Sequence, residues 1–151
     1  MGEMDELVRK AQEAKKQAEE VQEDAKKKRA EYISALNKLY ADMATWMKGL
    51  VQAGMATVGA PTMTNAVDWF GEFSAPALQM TANNRRMTIT PVSWRIIGWK
   101  GGSATIHIDP NIDKVIAQKD DGWVIFEGDM RSASEPLNAD SFARAIKFLF
   151  P

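Results

Sequence analysis

The feature that most constrains this chain is a proline-free, helix-favouring stretch that covers its N-terminal third. No proline occurs between Met4 and Val58, and the first thirty residues are dominated by Ala, Glu, Lys and Gln, which are strong helix formers. Oppositely charged side chains stand four residues apart, as Glu6 and Lys10 do, and each such pair stabilises a helix by about 0.2–0.5 kcal/mol. The sequence therefore predicts one long, charged, Ala-rich helix over residues 1–58.

Apolar residues along this helix repeat with the spacing of a coiled-coil seam. Up to Lys28, which occupies an expected core position, the seam is thin and lined by alanine, and beyond Lys28 it is bulky. A helix of about 75–80 Å with this seam in water would be costly. We therefore expect the seam to form a homo-oligomer, or to dock on the chain's own second half or on a different protein. The predicted interface residues are Leu7, Ala11, Ala14, Ala18, Val21, Ala25, Tyr32, Leu36, Leu39, Met43, Trp46 and Leu50.

The helical pattern ends at Val58-Gly59-Ala60-Pro61, and the hydrophobic period changes again at Met87. Residues 59–86 are predicted to form a helical or irregular connector, with a short helix between Asn65 and Phe73. Residues 87–151 are predicted to form a domain of their own. The fold class that follows is α+β, with a long N-terminal helix, a connector, a small sheet and a C-terminal helix.

The predicted sheet is a four-stranded antiparallel meander. Its strands are expected at Thr88–Trp99, Ala104–Ile108, Asp113–Gln118 and Trp123–Glu127, joined by tight turns. A last helix should begin after Asn138, a good N-cap residue. The last strand is apolar on both faces, so we expect this helix to cover one side of the sheet and the connector or the bulky half of the long helix to cover the other.

The composition excludes several kinds of site. The chain has no cysteine, which removes disulfides, Cys-ligated zinc, iron–sulfur clusters and thiol nucleophiles. Its single histidine, His107, cannot build a multi-histidine metal centre. The net charge of −1 provides no global basic field for nucleic acid or anionic lipid. We expect neither a cofactor nor a metal ion.

An acid–base site is one interpretation of His107, with Ser103, Asp109, Glu127 and Asp129 as its candidate neighbours. No nucleophile motif and no paired-carboxylate signature accompanies the histidine. A surface or interface histidine is therefore the better interpretation, and the sequence predicts a protein that is not an enzyme.

Cations and aromatic residues alternate around the first predicted strand, as they do in some proteins that bind single-stranded nucleic acid. Neighbouring residues of a strand point to opposite faces, however, so Trp94 and Arg95 would not share one stacking surface. Core tryptophans with cations at the rim are the better interpretation. The alternative function, a nucleic-acid-binding accessory protein, would use Arg85, Arg86, Arg95 and Lys100.

The acidic N-terminus lacks the apolar segment of a signal peptide, and no apolar run is long enough to span a membrane. We therefore expect a cytoplasmic protein without a membrane span. The leading hypothesis is a non-enzymatic interaction or assembly protein, such as the small accessory, adaptor or inhibitor proteins of bacteria and phages. It would self-associate or dock a protein partner through the long helix.

Overall fold

A computed structural model describes residues 2–68, 71–94, 101–120, 122–128 and 132–151. Within these ranges the chain forms two α-helices, eight β-strands and one 3-10 helix. In chain order they are α1 (Glu3–Gln52), β1 (Ala56–Val58), β2 (Thr62–Asp68), β3 (Gly71–Ala82), β4 (Arg85–Ser93), β5 (Ser103–Ile108), β6 (Ile112–Lys119), β7 (Gly122–Phe126), β8 (Ser134–Pro136), α2 (Ala139–Ile146) and the 3-10 helix Lys147–Leu149. The long N-terminal helix, the antiparallel sheet and the short C-terminal helix confirm the α+β class. The prediction of four strands was wrong, because the described sheet has eight.

Helix α1 ends six residues earlier than the sequence pattern indicated, at Gln52 rather than Val58. The backbone N–H of Gly54 donates to the carbonyl of Val51, and that of Met55 donates to the carbonyl of Leu50. Together with the positive φ of 75° at Gly54, these two bonds form a Schellman motif. Glycine adopts this backbone conformation without the steric cost that a Cβ would bring, so Gly54 stops the helix.

The sheet is antiparallel throughout, in the order β1-β3-β4-β5-β6-β7-β8, with β2 also paired to β3. Val58 of β1 pairs with Met80 of β3, and Thr62 of β2 pairs with Ala77. The three residues Gly59, Ala60 and Pro61 therefore lie opposite only two residues of β3. This is the geometry of a β-bulge, one of the places in a sheet where a proline is tolerated.

The segment predicted as a helical connector is mostly sheet, since β1, β2 and β3 all lie within or next to it. The expected helix between Asn65 and Phe73 is replaced by the β2–β3 hairpin, whose residues 69–70 lie outside the described ranges. In β3, Leu78 and Met80 are buried whereas Gln79 between them is exposed. This period of two is a strand signal, and in this segment it outweighs helix propensity.

A two-residue turn joins β3 to β4. Asn83 and Asn84 have φ values of 49° and 67°, and Ala82 pairs with Arg85 across them. Two consecutive residues with positive φ form the type I′ turn, in which asparagine is favoured. The dipeptide Asn83-Asn84 was therefore a hairpin signal that the sequence analysis did not use.

Both helices pack on the same face of the sheet, whereas we expected α2 to cover one side and the connector or the bulky half of α1 to cover the other. Trp46 of α1 lies against Phe142 of α2, with ring centroids 5.7 Å apart. Ile125 belongs to the core that these two helices share, whereas its neighbour Phe126 belongs to a second, smaller cluster. The main core contains, among others, Leu36, Leu39, Met43, Met47, Leu78, Met80, Met87, Ile89, Ile106, Ile108, Ile116, Phe142 and Ile146.

Two buried tyrosines of α1 bind the backbone of the sheet. The hydroxyl of Tyr32 donates to the carbonyl oxygen of Ser103 at 2.5 Å and accepts from the N–H of Val92 at 3.2 Å. The hydroxyl of Tyr40 donates to the carbonyl oxygen of Pro76 at 2.7 Å. Burial raises the pKa of both phenols above the ordinary value, so both act as neutral hydrogen-bonding groups.

A glycine permits the approach of Tyr32 to the sheet. A Cβ added at Gly102 would lie within 2.5 Å of the Tyr32 ring and of a backbone carbonyl. Real Cβ atoms do not approach other heavy atoms so closely, so a side chain at this position would displace the tyrosine. The contact between helix and sheet therefore depends on both residues.

We expect Tyr32→Phe to destabilise the fold more than Tyr40→Phe does. Loss of the Tyr32 hydroxyl leaves two backbone groups without this partner, whereas loss of the Tyr40 hydroxyl leaves one. An unsatisfied buried polar group costs about 1–3 kcal/mol. Urea unfolding followed by circular dichroism measures both variants, and equal stability losses would contradict the bridging role of Tyr32.

Glycine-to-alanine substitutions in the last turn of α1 and just after it should have opposite effects on the free energy of unfolding. Gly49 is helical, and a Cβ there meets nothing within 4 Å, whereas Gly54 has a positive φ of 75°. We expect Gly49→Ala to raise the free energy of unfolding by about 0.5–1 kcal/mol. We expect Gly54→Ala to lower it by about 1–2 kcal/mol. Chemical denaturation provides the test, and the same sign for both variants would exclude the Schellman assignment.

Candidate functional site

The seam of α1 divides at Ala25 into a covered half and an exposed half. Every residue from Gly2 to Asp24 is exposed, and Ala25 is the first buried residue of the helix. We call Glu3–Asp24 the arm. The remainder of the chain, to which the second half of α1 belongs, we call the body. The change from a thin to a bulky seam at Lys28 lies close to this division, but it did not indicate that the thin half would be exposed.

The covered half of the predicted interface packs on the chain's own sheet, which was one of the three expected coverings. Tyr32, Leu36, Leu39 and Met43 are buried in the main core, and Trp46 and Leu50 pack against it half-buried. Ala25 is also buried. These residues are therefore not available to another molecule in this structure.

The exposed half consists of the remaining predicted residues. We define the seam of the arm as Met4, Leu7, Ala11, Ala14, Ala18 and Val21. Met4 was not among the predicted interface residues, although it stands seven residues before Ala11 and so continues the same row. The large side chains of this side are well exposed, namely Met4 at 69%, Leu7 at 58%, Val21 at 52% and the neighbouring Val8 at 48%.

Local interactions explain why the arm is helical without a cover. Its first turn carries Glu3, Asp5 and Glu6, which interact favourably with the N-terminal end of the helix dipole. Lys10 forms an ion pair with Glu6 at 3.7 Å. The arm also extends a helix that the body already holds, so it avoids the nucleation cost that makes isolated short helices marginal. At 1.5 Å per residue it projects about 33 Å.

The structure describes two of the four residues that were predicted to contact nucleic acid. Arg85 and Arg86 are exposed at the start of β4, whereas Arg95 and Lys100 lie outside the described residues. The two described arginines line an open cleft of about 370 Å³ that also contains Asp109. A carboxylate at this place would repel a phosphate. Nucleic-acid binding stays a prediction that the structure does not test.

His107 lies between two carboxylates on the face of the sheet opposite the helices. Its Nδ1 is 2.6 Å from Oδ1 of Asp113, and its Nε2 is 3.3 Å from Oδ1 of Asp109. Asp109 was an expected neighbour, whereas Asp113 was not, although it pairs with His107 across the β5–β6 hairpin. The hydrogen bond to Asp113, followed by the charges of both aspartates, raises the pKa of His107.

The other predicted neighbours of His107 do not join this group. Ser103 is buried, and its carbonyl oxygen accepts from Tyr32. Glu127 is exposed in the loop after β7, and Asp129 lies outside the described residues. The arrangement is a surface histidine whose two ring nitrogens each lie close to an aspartate carboxylate.

The pKa of His107 should fall when either aspartate is neutralised, and further for Asp113→Asn than for Asp109→Asn, because the contact with Asp113 is shorter. Since the folded-state pKa lies above the ordinary value of 6.5, these contacts contribute stability that is fully present below about pH 6.5. That contribution is lost as the pH rises through the folded-state pKa. NMR titration measures the pKa of His107 directly, because the chain has one histidine. An unchanged pKa in Asp113→Asn would contradict the assignment.

A second cleft, of about 350 Å³, lies between α2 and the end of β7 and β8. Arg144 forms an ion pair with Glu135 at 2.6 Å inside it. Ser141 also lines it, but its hydroxyl donates to the carbonyl of Pro136 and accepts from the N–H of Asn138. With Asn138 it forms the capping box that starts α2, so the predicted N-cap is confirmed and the serine has a structural role.

Within the described ranges, no three His, Cys, Asp or Glu side chains are placed to hold a metal ion. None of the helices described is both long enough and apolar enough to cross a membrane. Comparisons of the chain with protein-family models, with curated proteins and with solved structures found no match.

Proposed function

We propose that this protein is a non-enzymatic interaction protein, in which the body anchors the arm and the seam of the arm docks a helix of another molecule. That molecule is either a second copy or a different protein. The observation that carries the proposal is the division of one continuous seam. The body covers it from Ala25 onward, whereas everything before Ala25 is exposed.

The distribution of side chains around the arm supports docking over a merely solvated helix. All apolar residues of the arm belong to the seam or, in the case of Val8, stand directly beside it. The opposite side, which we call the outer face, contains only charged residues and glutamine: Asp5, Glu6, Arg9, Gln12, Glu13, Lys16, Glu19, Glu20 and Glu23. A helix that serves only as a solvated spacer does not require this segregation.

The free energy available from docking is sufficient for a specific contact. Fully burying a Val, Leu or Met side chain is favourable by about 1.5–3 kcal/mol, and the arm exposes four of this type: Met4, Leu7, Val8 and Val21. Because the arm is already helical, little backbone entropy remains to be lost on binding.

Site-specific photocrosslinking in the source cell tests this proposal without knowledge of the partner. A benzophenone amino acid replaces Leu7 or Val21 in the seam and, as matched controls, Arg9 or Lys16 on the outer face. We expect crosslinked products of higher mass from the seam positions and at least fivefold less from the outer face. Mass spectrometry then distinguishes a second copy from another protein. Equal yields on both faces, or no product from the seam, would exclude docking through the arm.

A further inference from the structure

The positions that flank the seam of the arm determine which helix fits it. In a seven-residue repeat, the residues on either side of the apolar seam meet those of the partner and select it by charge. We call these positions the flank of the arm. They are Glu3, Val8, Lys10, Lys15, Gln17, Gln22 and Asp24. Its central part, from Val8 to Gln22, contains two cations and no anion.

A parallel pair of arms places like charges together. In parallel pairing, a flanking residue before one seam position meets the residue five places later in the other helix. Lys10 then lies opposite Lys15 of the second copy, and the dimer contains this contact twice. Two exposed like-charge contacts weaken association by roughly two- to fivefold.

An antiparallel pair has the same difficulty at its ends. When the whole arm overlaps, Met4 lies opposite Val21 of the second copy, and Glu3 then meets Asp24. This acidic contact also occurs twice. Neither self-pairing brings an opposite-charge pair together within the arm, so the charges of the flank do not favour a second copy.

The sizes of the seam residues lead to the same result. Ala11, Ala14 and Ala18 occupy the middle of the seam. In a parallel pair they would face themselves in three successive layers, which bury little apolar area. A partner with leucine or isoleucine opposite these alanines would insert a large side chain over each small one, as knobs enter holes.

The outer face of the arm carries carboxylates, such as Glu13 and Glu20, that would repel an acidic partner over a distance. These groups lie on the far side of a helix about 10 Å in diameter. The Debye length is about 8 Å at 0.15 M ionic strength. Their repulsion is therefore screened, whereas the contacts of Lys10 and Lys15 with a docked helix are direct. The ion pair of Lys10 with Glu6 is exposed and long, at 3.7 Å, so it competes only weakly with a carboxylate of the partner for Lys10.

We infer that the occupant of the arm is an amphipathic helix of a different protein, with branched aliphatic residues at its seam and carboxylates opposite Lys10 and Lys15. The inference rests on the proposed function, which requires only that some helix dock on the arm. It adds the chemistry of the partner: large where the arm is small, and acidic where the central flank is basic.

Two synthetic peptides of three heptads test this inference on the full chain. Both have leucine at the seam positions; one has glutamate and the other lysine at the flanking positions. Fluorescence anisotropy at 0.15 M salt measures their affinities for the wild-type chain, for Lys10→Glu/Lys15→Glu, and for the outer-face control Arg9→Glu/Lys16→Glu, which has the same change in net charge. Light scattering measures the mass of each chain alone.

We expect the glutamate peptide to bind the wild-type chain about five- to tenfold more tightly than the lysine peptide does. The preference should reverse in Lys10→Glu/Lys15→Glu and persist in the outer-face control. Equal affinity of the two peptides, or a reversal in both double variants, would overturn the inferred chemistry but leave docking through the arm intact. A wild-type chain that dimerises at low micromolar concentration would also overturn it, because the occupant would then be a second copy. Binding of neither peptide by a monomeric chain would refute the inferred chemistry, and the crosslinking yields at Leu7 and Val21 would then decide whether any helix docks on the arm.

Discussion

The packing of the second half of α1 on one face of the sheet is the contact on which the rest of the structure depends. Leu36, Leu39 and Met43 enter the core of the sheet, and the hydroxyl of Tyr32 joins the backbones of β4 and β5. An apolar contact is non-directional, whereas these hydrogen bonds have fixed geometry. The apolar residues therefore provide the driving force, and the tyrosine determines where along the helix the sheet lies.

This contact also explains how a body of modest size presents a long, ordered arm. Because α1 is one continuous helix, its covered half provides the first helical turns from which the arm extends. The exposed half then needs only helix propensity and local charge pairs to stay helical. The covered half is stabilised by burial, and the exposed half retains an apolar seam that no described part of the chain covers.

The long helix, the four strands β4–β7 and the N-cap Asn138 could be predicted, because each depends on local patterns: helix propensity, a period of two and a capping side chain. The sheet contains four further strands that were not predicted, namely β1, β2, β3 and β8. The strands β2 and β3 were missed because they contain Ala and Met residues, which also fit a helix. The decisive signal was the turn at Asn83-Asn84, whose positive φ values join β3 to β4.

By itself, the sequence determined that residues from Leu7 to Leu50 form a helix with one apolar seam, because propensity and seven-residue spacing are properties of neighbouring residues. Only the tertiary structure decided that the seam divides at Ala25. The seam changes from thin to bulky at Lys28, three residues after Ala25, but the size of its residues does not by itself show which half another part of the chain covers. What separates the two halves is how far along α1 the sheet extends, and that depends on the pairing of strands distant in the chain.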